Sequence, residues 1–296
     1  MKIYLKDIKE RYPEFEIRNY DEDAFFVGFN HDSRCLLENE IYVPIKGERF
    51  DGHDFIKEAL EKGASMSICE KKSAKKISDV KKPIILVDSI EEGLQKIINF
   101  SISDITAPIV AITGSTGKTT TKQMLASILG FKNSVLYADH FNTVWGNAML
   151  LSRYEGEDFI ILECAMDRKG EIAWHANTFD PDLGIILNIG YVHAEKLGSI
   201  DEIYEEKKNL ADYLERTGKP LIINIDDERL RKLKDTFKSE LLTYGKSDDA
   251  MFKIYDITPS ETGVNFNFGL GNSWYSVHLN AFGEGVVYDA MAAIIA

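Results

Sequence analysis

The sequence predicts an α/β protein, in which a small α/β domain precedes a larger domain with a mostly parallel sheet, flanking helices and a few additional strands. From Pro108 onward, near-continuous apolar segments alternate with segments of helical periodicity, which is typical of a parallel sheet covered on both faces. A glycine-rich stretch separates the first apolar segment from the helix that follows it. After Tyr255 the pattern changes to shorter strands of alternating polarity.

The small domain is predicted to occupy residues 1–89. Clusters of β-branched apolar residues between turn signals predict strands over 40–45 and 84–88. Helical spacing of apolar residues predicts a helix over 53–63, which Gly63 would end. A helix over 90–100 then opens the larger domain, which is predicted to span residues 90–296.

In the larger domain, buried strands are predicted at 108–113, 158–163, 183–189 and 220–226, and shorter alternating strands at 264–268 and 274–279. Helices are predicted at 118–130, 171–176 and 200–214, after residue 226, and at 287–296. Ser199 and Glu202 have the spacing of a capping box, which places the start of one helix at about Ile200.

Composition and charge restrict the class of protein. Of the 296 residues, 44% are hydrophobic and 28% are charged, and 48 acidic against 35 basic residues give a net charge of −13. These values indicate a globular protein and disfavour a nucleic-acid partner. No apolar run approaches the ~20 residues that span a bilayer, and the N-terminus is too charged for a signal peptide, so no membrane insertion is expected. The three cysteines form no paired framework, which favours a cytoplasmic location.

The stretch from Thr113 to Thr120 is a candidate phosphate-binding loop of the P-loop type. It follows a predicted strand and opens a predicted helix, and its glycines allow backbone N–H groups to turn toward an anion. Lys118 would contact the β- and γ-phosphates, and the Thr119 hydroxyl would ligate Mg²⁺. The literal motif has a further glycine where this chain has Ile112, so the match is a variant.

Three more side chains are candidates for the same site. Glu163 and His193 follow predicted strands, and the carboxyl ends of parallel strands meet at one edge of a sheet. Each of the two, taken alone, is more often an ordinary strand-end or loop residue. Lys207 fills a gap in the apolar stripe of its helix, where a lysine is unfavourable unless it is paired, neutralised or modified. A lysine at the edge of the core is an equally good interpretation of that spacing.

Six segments, spread over nearly the whole chain, together resemble one family. They are HDSR (31–34), PIKGERFDGHDFI (44–56), TGSTGKTTTK (113–122), ECAMDRKGEI (163–172), NIGYVHAEKLGSIDEIYEEK (188–207) and NIDD (224–227). In this order and spacing they resemble the ATP-dependent Mur ligases of peptidoglycan synthesis.

The resemblance implies the roles of individual residues. The ATP site would comprise Gly114, Ser115, Thr116, Gly117, Lys118, Thr119, Thr120, Asn188 and Asn224. Two Mg²⁺ ions would be bound by Thr119, Glu163, His193 and a carbamylated Lys207, and the catalytic residues would be Lys118, Lys207 and His193. Substrate would contact Ser33, Arg34, Lys46, Asn142 and Thr143.

The implied activity is ATP-dependent amide-bond formation through an acyl phosphate. The substrates would be a UDP-sugar-peptide (a UDP-MurNAc-tripeptide) and a dipeptide amine, D-alanyl-D-alanine. The first domain would hold the UDP end of the substrate. Family members continue into a C-terminal ligase domain, which the resemblance therefore implies in the same or another chain.

The chain departs from the family pattern at Cys164, Gly285, Val286 and Asp289. These departures leave open another ligase of the superfamily with a different acceptor. The third domain of the family would begin at about Ala296, so a further alternative is a two-domain piece that binds nucleotide and UDP-substrate but is inactive without its third domain. A generic P-loop NTPase would leave Lys207 and the segments between residues 31 and 56 unexplained.

Overall fold

A computed structural model describes residues 2–47, 50–191 and 198–296 of the chain. These residues form two compact units. One comprises Met1–Thr106 with Trp145–Gly156, and the other comprises Ala107–Val144 with Glu157–Ala296.

The described part of the chain contains α-helices in both units. In chain order they are α1 (Leu5–Arg11), α2 (Ile56–Glu61), α3 (Ile90–Ser101), α4 (Lys118–Leu129), α5 (Val144–Leu151), α6 (Glu171–Phe179), α7 (Ile200–Thr217), α8 (Glu228–Arg231), α9 (Leu233–Thr236) and α10 (Gly285–Ile295). Two 3₁₀ helices span Gly52–Phe55 and Lys71–Ile77.

The first unit is built on a five-stranded sheet in the order β2-β7-β6-β5-β4, beside a two-stranded pair β1-β3. Its strands are β1 (Ile3–Tyr4), β2 (Glu16–Arg18), β3 (Phe25–Phe26), β4 (Gly28–Asn30), β5 (Glu40–Tyr42), β6 (Met66–Glu70) and β7 (Ile84–Val87). Strands β4 to β7 are parallel, and β2 pairs antiparallel at the edge.

Helix α3 belongs to this first unit, whereas the sequence predicted a boundary at residue 89. The helix packs on β6 and β7 and buries Leu94, Ile97 and Ile98. Its apolar face is therefore part of the first core, and the two units meet along the chain between Thr106 and Ala107.

The second unit contains a nine-stranded sheet in the order β16-β15-β14-β13-β12-β11-β8-β10-β9. Its strands are β8 (Ile109–Thr113), β9 (Val135–Leu136), β10 (Phe159–Glu163), β11 (Leu183–Ile186), β12 (Leu221–Asn224), β13 (Leu241–Gly245), β14 (Phe252–Ser260), β15 (Gly263–Leu270) and β16 (Ser273–Leu279). The strands from β9 to β14 are parallel along the sheet, and β14 to β16 are antiparallel.

The core of the second unit explains why its central strands are apolar at successive positions. Val110 and Ile112 on β8 pack in one buried cluster with Leu125 of α4 and Met291 of α10. All five residues of β8 are buried, which requires helices on both faces of the sheet. The predicted fold class, a parallel α/β sheet with additional strands, is confirmed.

Several predicted elements have different bounds in the structure. The strand predicted over 40–45 is β5 and ends at Tyr42, and the helix predicted over 53–63 is a 3₁₀ turn followed by the short α2. The capping box of Ser199 and Glu202 is present at the start of α7. Over the described part of the chain, the helices are too short or too polar for any of them to cross a membrane.

Candidate active site

Three strand ends meet where the strand order of the large sheet reverses. On one side of β8, Ile112 pairs with Glu163 of β10, and on the other side Thr113 pairs with Ile186 of β11. The loops after these strands therefore leave the sheet side by side. In open α/β sheets, this edge is where ligands bind.

Gly117 sets the geometry of the loop after β8. Its φ of +85° lies in the left-handed region, and α4 begins at the next residue, Lys118. A Cβ atom at Gly117 would lie 2.1 Å from Oδ1 of Asp289 on α10, so the close approach of that helix also requires glycine. The N–H groups of the first turn of α4 lie at this loop, which is the arrangement that binds phosphate.

Asn188, in the loop after β11, holds the apex of the phosphate-type loop. Its side-chain Oδ1 accepts a hydrogen bond from the Thr116 N–H at 3.0 Å, and its Nδ2 donates to the Thr116 carbonyl at 3.2 Å. Its backbone carbonyl accepts from the Ser115 N–H at 3.0 Å. Ser115 and Gly190 exchange two more hydrogen bonds. Asn188, which was expected at the ATP site, thus positions the loop.

Lys118 and Thr119 are the first two residues of α4. The Lys118 amine donates to the Gly114 carbonyl at 2.8 Å, and burial lowers the pKa of this lysine. The Thr119 hydroxyl lies 3.0 Å from Oε2 and 3.2 Å from Oε1 of Glu163. The structure therefore brings together the lysine, the hydroxyl and the carboxylate that the sequence singled out.

Glu163, the last residue of β10, is only 4% exposed and forms a buried ion pair. Its partner is Lys122 of α4, which is 1% exposed and whose amine lies 2.8 Å from Oε2. Sequence reasoning missed Lys122. The available signal was its position one helical turn after Lys118, on the same face of the helix.

Lys207 lies on the inward face of α7 and is 2% exposed. Within the described part of the chain, the hydrogen-bonding partner of its amine is a thioether, Sδ of Met166, at 3.7 Å. Burial lowers the pKa of Lys207 from 10.5 to about 7; the positive charge of Lys118 acts in the same direction, and Glu206 opposes it. Met166 follows Glu163 by three residues, so Lys207 lies at the same edge of the sheet.

Glu206 is a second buried charge on α7 that sequence reasoning missed. It is 4% exposed, and its carboxylate accepts hydrogen bonds from the N–H groups of Gly170 and Ile172, each at 2.8 Å. These donors belong to the start of α6, where a negative charge also interacts favourably with the helix dipole. Glu206 therefore fixes α7 to the segment that runs from Glu163 to α6.

The remaining expected residues of the second unit lie near the site, except for His193, which is outside the described residues. Asn224 ends β12 and accepts from the Asp226 N–H at 3.0 Å. The Asn142 carbonyl accepts from the Ala165 N–H at 2.9 Å, which places 142–143 against the loop after Glu163. His193 lies in 192–197, outside the described residues. His175 on α6 is buried, and burial lowers its pKa to about 3 against the opposing effect of hydrogen bonds with the backbone at Ala165 and Asn142.

The three expected substrate residues of the first unit lie in loops after its parallel strands. Ser33 is buried in the turn that follows β4. The guanidinium of Arg34 pairs with the Asp32 carboxylate at 2.6 Å, which lowers the pKa of Asp32. Lys46 is exposed and forms a β-bridge with Asp51.

The family departures lie on α10 and beside Glu163. Gly285 and Val286 begin α10, which packs against α4, and Asp289 of this helix contacts Gly117. Burial raises the pKa of Asp289 to about 6. Cys164 is buried, and burial together with the charge of Glu163 raises its pKa to about 12, so its thiol stays protonated.

The donor set fits a hard divalent cation. Thr119 and Glu163 present hydroxyl and carboxylate oxygens within hydrogen-bonding distance of each other, and Mg²⁺ prefers such oxygen ligands together with substrate phosphates. Among the described residues, no group of three or more His, Cys, Asp or Glu side chains could by itself hold a metal ion. The phosphates of a bound nucleotide would supply further oxygen ligands.

A glycine-containing loop between strand and helix, at the switch point of a parallel sheet, defines an α/β protein of the P-loop nucleotide-binding class. Comparison with known families is more specific. Residues 112–296 match the Mur ligase middle domain, and residues 26–101 match the Mur ligase family catalytic domain. The chain belongs to the Mur ligase family.

Similarity to individual Mur ligases supports this assignment. The chain is 32% identical over 278 residues to a UDP-N-acetylmuramoyl-tripeptide–D-alanyl-D-alanine ligase of Bacillus subtilis, covering 93% of this chain and 59% of the relative. The MurF ligase of Thermotoga maritima, crystallised in complex with ADP, is 31% identical with a TM-score of 0.79, covering 90% of this chain and 62% of that one.

A crystal structure of MurF from Acinetobacter baumannii has the same fold, with a TM-score of 0.86 at 22% identity over 99% of this chain and 64% of that one. The chain thus spans about three-fifths of the length of these relatives.

Proposed function

We propose that the chain is part of an ATP-dependent amide-forming ligase of peptidoglycan precursor synthesis. It would bind the nucleotide and the UDP-linked peptide whose carboxylate is activated. The reaction is the addition of D-alanyl-D-alanine to a UDP-MurNAc-tripeptide. The observation that carries this proposal is the convergence of Lys118, Thr119, Glu163 and Lys207 at the edge where β8 and β10 end. The similarity to the Bacillus subtilis ligase supports the choice of acceptor and amine.

The chemistry is activation of a carboxylate. The terminal carboxylate of the acceptor peptide attacks the γ-phosphorus of ATP, the bond to the β,γ-bridging oxygen breaks, and an acyl phosphate and ADP form. The amine of the dipeptide then attacks the acyl carbon and displaces phosphate. Phosphoryl transfer of this kind depends mainly on positioned positive charge. Lys118 and the amides of the loop supply it.

Thr119 and Glu163 would hold Mg²⁺, which neutralises phosphate charge when it is bound. Lys207 and His193 would hold a second ion near the acceptor carboxylate. Asn188 and Ser115 keep the loop in place for the nucleotide. Glu206 keeps α7, and with it Lys207, against the segment that follows Glu163.

A carbamate on Lys207 would explain why a lysine is buried at this position. A neutral lysine amine adds to CO₂, forming an N–C bond and releasing one proton, and the product is an anion suited to a metal-rich site. Two features of the site support this modification: Lys207 is buried, and the contact of its amine among the described residues is the sulfur of Met166 rather than a carboxylate.

The test is phosphate release from ATP in the presence of UDP-MurNAc-tripeptide and D-alanyl-D-alanine. We expect release that depends on both substrates, loss of release in Lys207→Ala, and partial recovery of that variant with a short carboxylic acid such as acetate. The adjacent Lys208→Ala is the matched control, because Lys208 is paired with Asp212 on the outer side of α7. A Lys207→Ala variant as active as the parent would overturn the carbamate.

Other outcomes identify the alternatives. Release with a different acceptor or amine indicates another ligase of the superfamily. Binding of ADP and UDP-substrate without release, followed by activity when a C-terminal ligase domain is added, indicates a two-domain piece that needs this partner. Release without any acceptor indicates a simple NTPase. The three free cysteines favour a reducing compartment, and we propose that the reaction takes place in the cytoplasm.

A further inference from the structure

Helix α4 carries three polar side chains at the site rather than the two that the phosphate-type motif requires. Lys118 and Thr119 begin the helix, and Lys122 follows Lys118 by four residues, which places both lysines on one face. The Lys122 amine contacts Oε2 of Glu163 at 2.8 Å and the Asp139 carbonyl at 3.3 Å. Lys122 therefore approaches Glu163 from within the core.

The burial of this pair is costly. Moving a lysine and a carboxylate out of water is offset only when the two charges are in direct contact and further hydrogen bonds complete their shells. Here the lysine is 1% and the glutamate 4% exposed. The contacts with Thr119 and with the Asp139 carbonyl supply the additional hydrogen bonds. Two hydrophobic residues would fill the same space without that cost.

We infer that Lys122 is a positioning residue, which fixes the Glu163 carboxylate against the Thr119 hydroxyl in the orientation that receives a divalent cation together with a nucleotide. The inference rests on the proposed function. It extends that function to a residue outside the phosphate-type motif. The ion pair with Lys122 also orients the Glu163 carboxylate before the cation arrives.

The lysine acts on the cation and not on the phosphates. Phosphate contacts belong to Lys118 and the loop amides, which do not depend on Lys122 for their hydrogen bonds. Removing Lys122 should therefore leave the metal-free affinity for nucleotide intact and reduce only its enhancement by Mg²⁺. If Lys122 had only a structural role, its removal would lower the affinity for nucleotide equally with and without Mg²⁺.

The experiment is calorimetric titration of the full chain with ADP, in EDTA and in MgCl₂, for the parent, Lys122→Met and the control Lys132→Met. Lys132 is an exposed lysine just beyond the end of α4. We expect Lys122→Met to retain the parent affinity for ADP in EDTA and to lose about 10- to 100-fold of the enhancement by Mg²⁺, the usual effect of removing a partner of a metal ligand. Lys132→Met should behave as the parent.

Retention of the full Mg²⁺ enhancement in Lys122→Met would overturn the inference, as would an equal loss of affinity with and without Mg²⁺. Should Lys122→Met not fold, Lys122→Gln replaces it: a reduced Mg²⁺ enhancement supports the inference, and an unchanged one overturns it. A parent chain that binds ADP with no Mg²⁺ enhancement would refute the proposed metal site itself, and this outcome is visible before any variant is made.

Discussion

The buried Lys207 should lower the stability of the folded protein, because an amine held away from water loses the solvation of its charged form. Its pKa falls from 10.5 to about 7 in the folded chain. At about 1.4 kcal/mol for each pKa unit, this difference corresponds to about 5 kcal/mol lost when the lysine must be charged. The perturbation that tests this is Lys207→Met, which keeps the length of the side chain and removes the charge.

The sign of the pH dependence follows from proton binding. Between the two pKa values the unfolded chain binds the proton and the folded chain does not, so stability rises with pH over this window, and below about pH 7 the penalty is complete. We therefore expect Lys207→Met to be more stable than the parent by about 4 kcal/mol at pH 7 and by about 2 kcal/mol at pH 9.

The assay is urea unfolding at several pH values between 6 and 9, in EDTA and in buffer depleted of CO₂ so that the amine stays unmodified. Lys208→Met is the control, because that lysine is paired with Asp212 at the surface and should change stability by less than about 0.5 kcal/mol. A Lys207→Met variant that is less stable than the parent, or a stability difference that does not change with pH, would refute the reasoning.

Three further predictions concern residues around the candidate active site. Gly117→Ala should cost about 1–3 kcal/mol of unfolding free energy, because alanine must adopt a φ of +85° and avoid Asp289, and an unchanged free energy of urea unfolding would contradict it. Asp289→Asn should tighten ADP binding about fivefold at pH 8, because the negative charge of Asp289 near the phosphates costs about 1 kcal/mol of binding free energy. This gain in affinity should vanish at pH 5, because Asp289 of the parent, with its pKa raised to about 6, is then protonated. A gain independent of pH would exclude the charge as its cause. Glu206→Gln should cost about 1–3 kcal/mol in urea unfolding, because two buried N–H donors lose a charged acceptor, and an unchanged midpoint would show that these bonds contribute little.

The central strands could be predicted from the sequence because they are buried on both faces. β8, β10 and β12 lie within one or two residues of the apolar runs that predicted them. β14 escaped prediction because Asp256 and Pro259, residue types disfavoured in strands, interrupt its apolar pattern. Its conformation is fixed by pairing with β13 and β15, which local sequence does not encode.

The candidate site was predictable where a motif or a helical spacing marked it. Lys207 fills a gap in an apolar stripe, and its burial follows from that spacing alone. Lys122 and Glu206 are just as buried, but their partners, Glu163 and the start of α6, are more than thirty residues away in the chain. A charged residue in a helix is ordinarily solvated, so only the folded arrangement reveals these pairs.

The most direct test is a crystal structure of the chain grown with bicarbonate, Mn²⁺ and a non-hydrolysable ATP analogue, with anomalous data to locate the metal. We expect a metal peak within bonding distance of the Thr119 hydroxyl and the Glu163 carboxylate, beside the terminal phosphate. We also expect additional carboxylate density on the Lys207 amine. A bare Lys207 amine, with the metal bound away from Glu163, would contradict both expectations.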